Sequence, residues 1–425
     1  MKVTASSILA GLVFILCCIF LMSFSAVMQH GNASPAHAMS AANDQKQPSL
    51  RTGLAGAGTD VKRTQLAVLE EAHDADRENA ADSNGNISKG GGDGDGKRKK
   101  IAYAITVTKD GNFVDGALVL GYAAKKVHDA AKGFQSDYDA ELVAFVAPTV
   151  KTARPILKAN GWRVLEKGLP VALEDIENQE YANKMKNSGC CGADEFLKLW
   201  AFTLTEYHRV VHLDMDSIIF DSMDALYELD KEMLFTGDYN MGPRSPAVPA
   251  QGGFLVVRPS METFKEFQAI IRKGDHTGQG WEGSHIGNFW GGQTIQGIVP
   301  FYYHVKRPGR AQELNRCEYN CMVDNPYLPK TTKCLDKKPT CQDCRLQVPE
   351  KVKSAHFTIC QKPWTCTQHL NPKNKVLCEI FHDKWFALRN ELELQSDVDV
   401  GYRKKNSRFK NSLGMCSGYG DKKYI

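Results

Sequence analysis

Two aspartates, Asp214 and Asp216, lie one residue apart after an apolar run in the segment HRVVHLDMDSIIFD, residues 208–221. The apolar run predicts a buried strand, where an unpaired charge would be costly. In an extended chain, residues i and i+2 point to the same side, so both carboxylates can face one ion. Carboxylate oxygens suit Mg²⁺ and Mn²⁺, which usually also hold phosphate groups. The alternative interpretation is a pair of caps in a strand-to-loop turn.

A histidine and a lysine occur together far downstream, in the segment HFTICQKPW that begins at His356 and ends at Trp364. Histidine is a borderline metal ligand, and lysine carries a point charge suited to phosphate. Pro363 restricts the backbone next to Lys362. Alone, this segment would be interpreted as a cysteine-rich loop that contains a histidine.

Strand and helix patterns alternate from Ile101 onward. IAYAITVT, AELVAFVAP and WRVLEK are typical of buried strands, whereas GALVLGYAAKKV and RPILKANGW have helical character. This alternation predicts an α/β fold with a mostly parallel central sheet. In such sheets ligands gather outside the carboxyl ends of the strands, which is where the aspartate pair is expected.

A helix is also predicted directly before the aspartate strand, over Asp194–Tyr207. Lys198 lies off its apolar stripe. At helical spacing the stripe comprises Phe196, Leu199, Trp200, Thr203, Leu204 and Tyr207.

Several motifs in this order resemble glycosyltransferase family 8, the retaining glycosyltransferases that include glycogenin and many Golgi enzymes. The motifs are ITVTKDGNFVDGALVLGYA, FLKLWAFTLTEYHRVVHLDMDSIIF, QGGFLVVRPS and HFTICQKPW, and the resemblance extends from Ile101 to about Trp385. It implies a single Rossmann-like nucleotide-diphospho-sugar transferase domain of GT-A type. It also implies transfer of a sugar, with retained configuration, from a UDP-sugar to a glycan, protein or lipid acceptor.

The resemblance assigns roles to particular residues. The expected ligands of a divalent cation, typically Mn²⁺ with Mg²⁺ as the alternative, are Asp214, Asp216 and His356. The residues expected at the diphosphate and at the donor near its sugar or phosphate are Lys362 and Lys198, respectively. The residues expected beside the nucleoside are Thr106, Thr108 and Asp110. Gln251 is expected to face the donor sugar.

One departure from the family pattern affects the expected chemistry. Family members commonly have Gly-Asp-Gln-Gly where this chain has WGGQTIQG, residues 290–297. Gln293 or Gln296 is expected to take part of the role of the missing aspartate, but an amide bears no charge and is no general base. A weak or inactive sugar-binding or nucleotide-binding protein on the same fold is therefore the alternative function. A disulfide-rich adhesion module with a structural Ca²⁺ is a further one.

The N-terminal region predicts a membrane anchor. ILAGLVFILCCIFLMSFSAV, residues 8–27, is uncharged and about as long as a bilayer-spanning helix. Lys2 precedes it, which favours a cytoplasmic tip and a lumenal body, as in a single-pass type II Golgi protein. The alternative is a cleaved signal peptide with Ala36-His37-Ala38 as the cleavage site and a secreted product.

Composition divides the chain into four predicted parts. Residues 1–30 are the tip and anchor, and residues 31–100, which contain no aromatic residue, are a flexible stem. Residues 101–390 are the catalytic domain, and residues 391–425 are a basic polar tail. A net charge of +4 over 425 residues gives no support to a nucleic-acid partner.

Thirteen cysteines are present, and eight of them lie in the segment 317–378. In the secretory pathway such a cluster predicts disulfides. The alternative is a zinc site built on Cys317, Cys321, Cys341 and Cys344.

Overall fold

The computed structural model describes residues 98–187, 192–239, 241, 246–324, 343–365 and 375–395. All of them belong to one compact unit, Gly94–Ile425. The predicted anchor, almost all of the predicted stem and most of the predicted tail lie outside the described residues. Within the described residues, no helix combines the length and the apolar character needed to cross a membrane.

A seven-stranded sheet in the spatial order β10-β6-β7-β4-β1-β2-β3 forms the centre of this unit. Six of its strands run parallel, and β7 runs antiparallel to both of its neighbours. The predicted α/β fold with a mostly parallel central sheet is therefore confirmed. The strands, including those of two small two-stranded sheets, are β1 Lys99–Val107, β2 Tyr138–Val146, β3 Trp162–Glu166, β4 Arg209–Leu213, β5 Ser217–Ile219, β6 Met233–Gly237, β7 Ala250–Val257, β8 His276–Thr277, β9 Gly280–Trp281, β10 Ala311–Leu314 and β11 Ser354–His356.

Helices cover both faces of the sheet. The α-helices are α1 Phe113–Lys126, α2 Ala153–Ala159, α3 Gln179–Asn187, α4 Asp224–Tyr227, α5 Met261–Lys273, α6 Ile295–Phe301, α7 Arg316–Tyr319 and α8 Lys375–Gln395. The 3₁₀ segments are Ala130–Lys132, Leu173–Asp175, Ala193–Thr203, Cys344–Leu346, Pro349–Lys351 and Pro363–Thr365, and a π-helix covers Tyr302–Lys306.

Two apolar cores lie on opposite faces of the sheet, and β1 contributes to both. Tyr103 and Ile105 pack into the core with α1 and α8, whereas Ala102 and Ala104 pack into the core with Ala193–Thr203, α5 and α6. Successive strand residues point to opposite faces, so a strand covered on both sides needs a continuous apolar run. This explains why IAYAITV lacks polar alternation.

The segment before the aspartate strand differs from its predicted α-helix. Ala193–Thr203 is a 3₁₀ helix, and Leu204 and Tyr207 are buried beyond its end. Side chains three residues apart superimpose along a 3₁₀ helix. Lys198, which lies off the predicted α-helical stripe, therefore shares a side with Glu195 and is itself buried.

Disulfides form in the cysteine-rich segment. Cys317 is bonded to Cys344, and Cys360 is bonded to Cys378. Cys321 is a buried thiol. The zinc interpretation is wrong for Cys317 and Cys344, because their sulfur atoms are bonded to each other.

The small sheet of β5 and β11 joins the two predicted motifs. The strands are antiparallel, with Ser354 opposite Ile219 and His356 opposite Ser217. The backbone N–H of Phe357 extends this pairing by donating to the Asp216 carbonyl oxygen at 2.8 Å. His356 is thereby fixed beside the aspartate pair.

Helix α1 packs directly on the aspartate turn through Gly116. A Cβ atom at this position would lie 2.2 Å from the Met215 carbonyl oxygen and 2.6 Å from the nearest ring atom of Trp364. Real Cβ atoms do not approach other atoms so closely, so only glycine fits between the helix, the turn and the indole.

We expect Gly116→Ala to destabilise the protein by about 1–3 kcal/mol, the usual range for overpacking. The measurement is chemical unfolding of the purified chain. Gly168→Ala is the matched control, because a Cβ atom there would have no neighbour within 4 Å. Equal stability of the two variants would contradict the proposed contact between α1 and the turn.

Candidate metal centre

The aspartate pair lies in a tight turn between β4 and β5 rather than within one extended strand. The Ser217 N–H donates to the Asp214 carbonyl oxygen at 3.0 Å, and the Asp214 N–H donates to the Gly253 carbonyl oxygen at 3.1 Å. The expectation that alternation along a strand brings the carboxylates together is therefore wrong. The turn brings them together instead, at the carboxyl end of β4 as expected.

His356 completes a group of three potential metal ligands. Its Nε2 atom lies 3.2 Å from Asp216 Oδ1 and 3.9 Å from Asp214 Oδ2. One ligand atom from each of these residues lies within 4.8 Å of the others. Ligand atoms about 2.0–2.6 Å from one ion fit this separation, so the three residues fit a divalent cation.

Lys362 lies next to the same group. Its Nζ atom is 2.5 Å from Asp216 Oδ2 and donates to the Phe357 carbonyl oxygen at 2.7 Å. The structure therefore brings together Asp214, Asp216, His356 and Lys362, the residues of the two sequence motifs.

Lys198 is buried next to Asp214. Its Nζ atom lies 2.9 Å from Asp214 Oδ1, 2.9 Å from Glu195 Oε2 and 3.0 Å from the Gly252 carbonyl oxygen. An ammonium group has three protons, and these three acceptors match them. In this arrangement Lys198 orients two carboxylates rather than presenting a vacant donor.

The pKa shifts follow from these contacts. Burial lowers the pKa of His356, but Asp216 and Asp214 outweigh burial and raise it above the ordinary value. Burial raises the pKa of Asp214, but Lys198 and His356 outweigh burial and hold it below the ordinary value. The pKa of Asp216 is likewise lowered, because His356 and Lys362 outweigh burial. Both aspartates are thus ionised at neutral pH, which is the form that binds a metal.

Gln251 is buried next to Gly253, the glycine that lies against His356 and Asp214. Its Oε1 atom accepts from the Gly253 N–H at 2.6 Å and from Asn320 Nδ2 at 3.3 Å. The amide oxygen is thereby engaged, so the NH₂ group of Gln251 is its remaining hydrogen-bonding group. Asn320 also donates to Thr236 at 2.9 Å, which fixes its orientation.

The three residues expected beside the nucleoside have different surroundings. Thr106 Oγ1 is hydrogen-bonded to His212 Nε2 at 2.8 Å. Thr108 lines a cavity that also touches Glu195. The Asp110 carboxylate accepts backbone hydrogen bonds at 2.9 Å from residues 151, 152 and 153, so it caps the start of α2.

Gln293 and Gln296 are not brought to the metal ligands by any hydrogen bond of the described residues. The Gln293 carbonyl oxygen accepts from the Tyr181 hydroxyl at 2.8 Å. The Gln296 Oε1 atom is buried and has no hydrogen-bond partner within the described ranges. Neither glutamine replaces the charge of the missing aspartate.

Two site residues were missed from the sequence, Glu195 and Asn320. Glu195 precedes Lys198 by three positions, which would indicate contact only if a 3₁₀ helix were expected. Asn320 follows a disulfide-bonded helix in a segment without a recognisable motif. Its position depends on long-range packing.

Comparisons with known proteins identify relatives of this chain, although no family model matches it. It is 26% identical over 270 residues to inositol phosphorylceramide glucuronosyltransferase 1 of Arabidopsis thaliana, covering 62% of this chain and 42% of that protein. It is 25% identical over 206 residues to glycogenin-2 of Homo sapiens, covering 47% of this chain and 36% of that protein. The chain therefore spans less than half of each. These relatives are glycosyltransferases, which supports the expectation of a transferase.

A solved structure of the galactosyltransferase LgtC, in complex with donor and acceptor sugar analogs, is also similar. The sequence identity is 14%, the TM-score is 0.41, and the match covers 72% of this chain and 99% of LgtC.

We expect Gly253→Ala to weaken Mn²⁺ binding about tenfold or more, a usual effect of disturbing the residues that orient metal ligands. A Cβ atom at Gly253 would lie 2.5 Å from His356 Cε1 and 2.8 Å from Asp214 Oδ2. The measurement is Mn²⁺ titration followed by electron paramagnetic resonance. Gly252→Ala is the matched control, because its Cβ atom would meet neighbours at 3.4 Å or more. Equal affinities of Gly253→Ala and Gly252→Ala for Mn²⁺ would show that the metal ligands do not lie against Gly253.

We expect Asp110→Ala to destabilise the protein by about 1 kcal/mol, as loss of a helix cap does. Burial raises the pKa of Asp110, but hydrogen bonds from residues 151–153 outweigh burial and lower it to about 2. The stabilisation is therefore complete above the unfolded pKa of about 4 and is lost as pH falls towards about 2.

Thermal unfolding at pH 7, 4 and 3 measures this effect. The difference in melting temperature between the wild-type chain and Asp110→Ala should narrow as the pH falls. Glu174→Ala is the control, because Glu174 is exposed, and it should change the melting temperature little at any pH. An Asp110→Ala variant of unchanged stability that no longer binds UDP would instead support the role beside the nucleoside.

Proposed function

We propose that this chain is a divalent-metal-dependent retaining glycosyltransferase of family 8, with a GT-A type domain that takes its sugar from a UDP-sugar. The observation that carries the proposal is the convergence of Asp214, Asp216 and His356 within 4.8 Å. Lys362 lies at the edge of the same group. The similarity of the chain to glycosyltransferases also supports this proposal.

The residues of the candidate site can stabilise the negative charge that develops on the diphosphate leaving group. Asp214, Asp216 and His356 would hold Mn²⁺ or Mg²⁺, which supplies positive charge to the diphosphate leaving group. Lys362 contributes an ammonium group on the same side and can exchange its contact with Asp216 for a phosphate oxygen. Lys198 keeps Asp214 oriented and ionised. These fixed charges stabilise the diphosphate as the bond between sugar and phosphate breaks.

The nucleoside is proposed to extend past the end of β1. Beyond that end, at the start of α1, the ring of Phe113 is 37% exposed. Phe113 meets Trp364 edge to face, with ring centroids 5.4 Å apart. An exposed aromatic ring suits stacking of a base, which can add about 1–3 kcal/mol.

The acceptor is proposed to be a glycan, a protein or a lipid, and the site of action the Golgi lumen. The uncharged segment 8–27 supports a type II membrane anchor, with secretion after signal cleavage as the alternative. The disulfides Cys317–Cys344 and Cys360–Cys378 of the described residues support an oxidising compartment.

A second candidate function is nucleotide-sugar binding without transfer. The observation that favours it is the absence of a carboxylate in WGGQTIQG, where Gln296 Oε1 is buried without a partner in the described part of the chain. This candidate predicts the same binding of metal and nucleotide but no turnover.

Calorimetry with UDP and a panel of UDP-sugars, with and without Mn²⁺, tests the proposal. We expect Mn²⁺-dependent UDP binding and slow release of free sugar from at least one donor. Asp216→Ala should weaken UDP binding at least tenfold, because the variant loses a buried metal ligand that also pairs with His356 and Lys362.

Asp230→Ala is the matched control, since Asp230 pairs with Arg258 at the surface. Failure of the wild-type chain to bind any of these nucleotides would refute the proposal. Binding of Ca²⁺ without UDP would favour the adhesion module, and binding without turnover would favour the second candidate.

A further inference from the structure

A cavity of about 500 Å³ is lined in part by Glu195, whose carboxylate pairs with Lys198, the lysine that also contacts Asp214. Its volume lies in the range of about 300–1,000 Å³ that is usual for small-molecule sites. Its lining includes the apolar side chains of Leu169, Leu173 and Met185 and the carboxylates of Asp194 and Glu195. An apolar wall with a few charged acceptors suits a ring that carries several hydroxyl groups.

Glu195 connects this cavity to the metal centre. Its Oε2 atom lies 2.9 Å from Lys198 Nζ, which in turn lies 2.9 Å from Asp214 Oδ1. One ammonium group therefore separates the carboxylate in the cavity from a metal ligand. In the described part of the chain, Lys198 is the one ionic partner of Glu195, so the glutamate is held at one oxygen.

The charge of the cavity favours an uncharged ligand. Lys109 and Lys186 also line it, so its two carboxylates are matched by two ammonium groups. A further phosphate would meet Asp194 and Glu195, whereas hydroxyl groups can donate to them. Hydrogen bonds to ionised acceptors are among the stronger ones in proteins.

We propose that Glu195, together with Asp194, receives the hydroxyl groups of the transferred sugar in this cavity. Glu195 thereby supplies the carboxylate that WGGQTIQG lacks. The inference rests on the proposed glycosyltransferase function and deepens it. It makes Glu195 a specificity-determining residue whose position is fixed by Lys198.

The arrangement of the two lysines supports this assignment to the sugar. Lys362 contacts Asp216, whereas Lys198 and Glu195 lie on the side of Asp214. A nucleotide-sugar held by its diphosphate at the aspartate pair extends its two ends away from that pair. The exposed ring of Phe113 beside Trp364 suits the base, which leaves the carboxylate cavity for the sugar.

Calorimetry of Glu195→Gln tests the inference, with UDP and neutral UDP-hexoses as ligands in the presence of Mn²⁺. The variant should bind UDP within about twofold of the wild-type affinity and bind the preferred UDP-hexose about tenfold more weakly, as expected for the loss of a charged hydrogen-bond acceptor. The Mn²⁺ concentration for half-saturation should not change. Glu206→Gln is the matched control, because Glu206 pairs with Arg163 at the surface.

Other results would overturn the inference. If Glu195→Gln loses affinity equally for UDP and UDP-hexose, Glu195 contacts the nucleotide. If the variant binds 2′-deoxy-UDP as tightly as the wild-type chain does, the contact is to the ribose hydroxyl. Unchanged UDP-hexose affinity would show that Glu195 takes no part. If the wild-type chain binds no UDP with Mn²⁺, the proposed function fails, and the inference fails with it.

Discussion

The antiparallel pairing of β5 with β11 is the constraint on which the candidate site depends. It sets His356 opposite Ser217, and the Phe357 N–H continues the pairing to the Asp216 carbonyl oxygen at 2.8 Å. A shift of one residue would turn His356 to the other side of the strand. Two motifs far apart in the sequence thus become one site through a few backbone hydrogen bonds.

Charge balance explains why this site can be buried. The carboxylates of Glu195, Asp214 and Asp216 alternate with the cations of Lys198, His356 and Lys362, and each carboxylate contacts at least one cation. Buried charges persist when they are paired in this way. A divalent cation would take over part of the pairing with His356 and the two aspartates. Lys362 could then turn to a ligand, whereas Lys198 is held by three acceptors.

The sequence was sufficient for the alternating strands and helices, the mostly parallel sheet, and the meeting of Asp214, Asp216, His356 and Lys362. The predicted strands, helices and sheet rest on apolar runs, whereas the meeting of the four residues was implied by the resemblance to glycosyltransferase family 8. The sequence was insufficient where long-range packing determines the local structure or the contacts of a side chain. No periodic sequence pattern indicates three of the observed features. These are the 3₁₀ geometry that joins Glu195 to Lys198, the turn that holds the aspartates, and the capping of α2 by Asp110. Gln293 and Gln296 lie in the segment where family members commonly have Gly-Asp-Gln-Gly, and no hydrogen bond of the described residues joins them to the metal ligands.

The central claim is that Asp214, Asp216 and His356 hold one ion. A crystal structure with Mn²⁺ and UDP, with anomalous scattering recorded for manganese, tests it most directly. We predict one anomalous peak within about 2.0–2.6 Å of an oxygen of each aspartate and of His356 Nε2, with UDP phosphate oxygens as further ligands. A peak elsewhere, or His356 still paired with Asp216 while UDP is bound, would contradict the account.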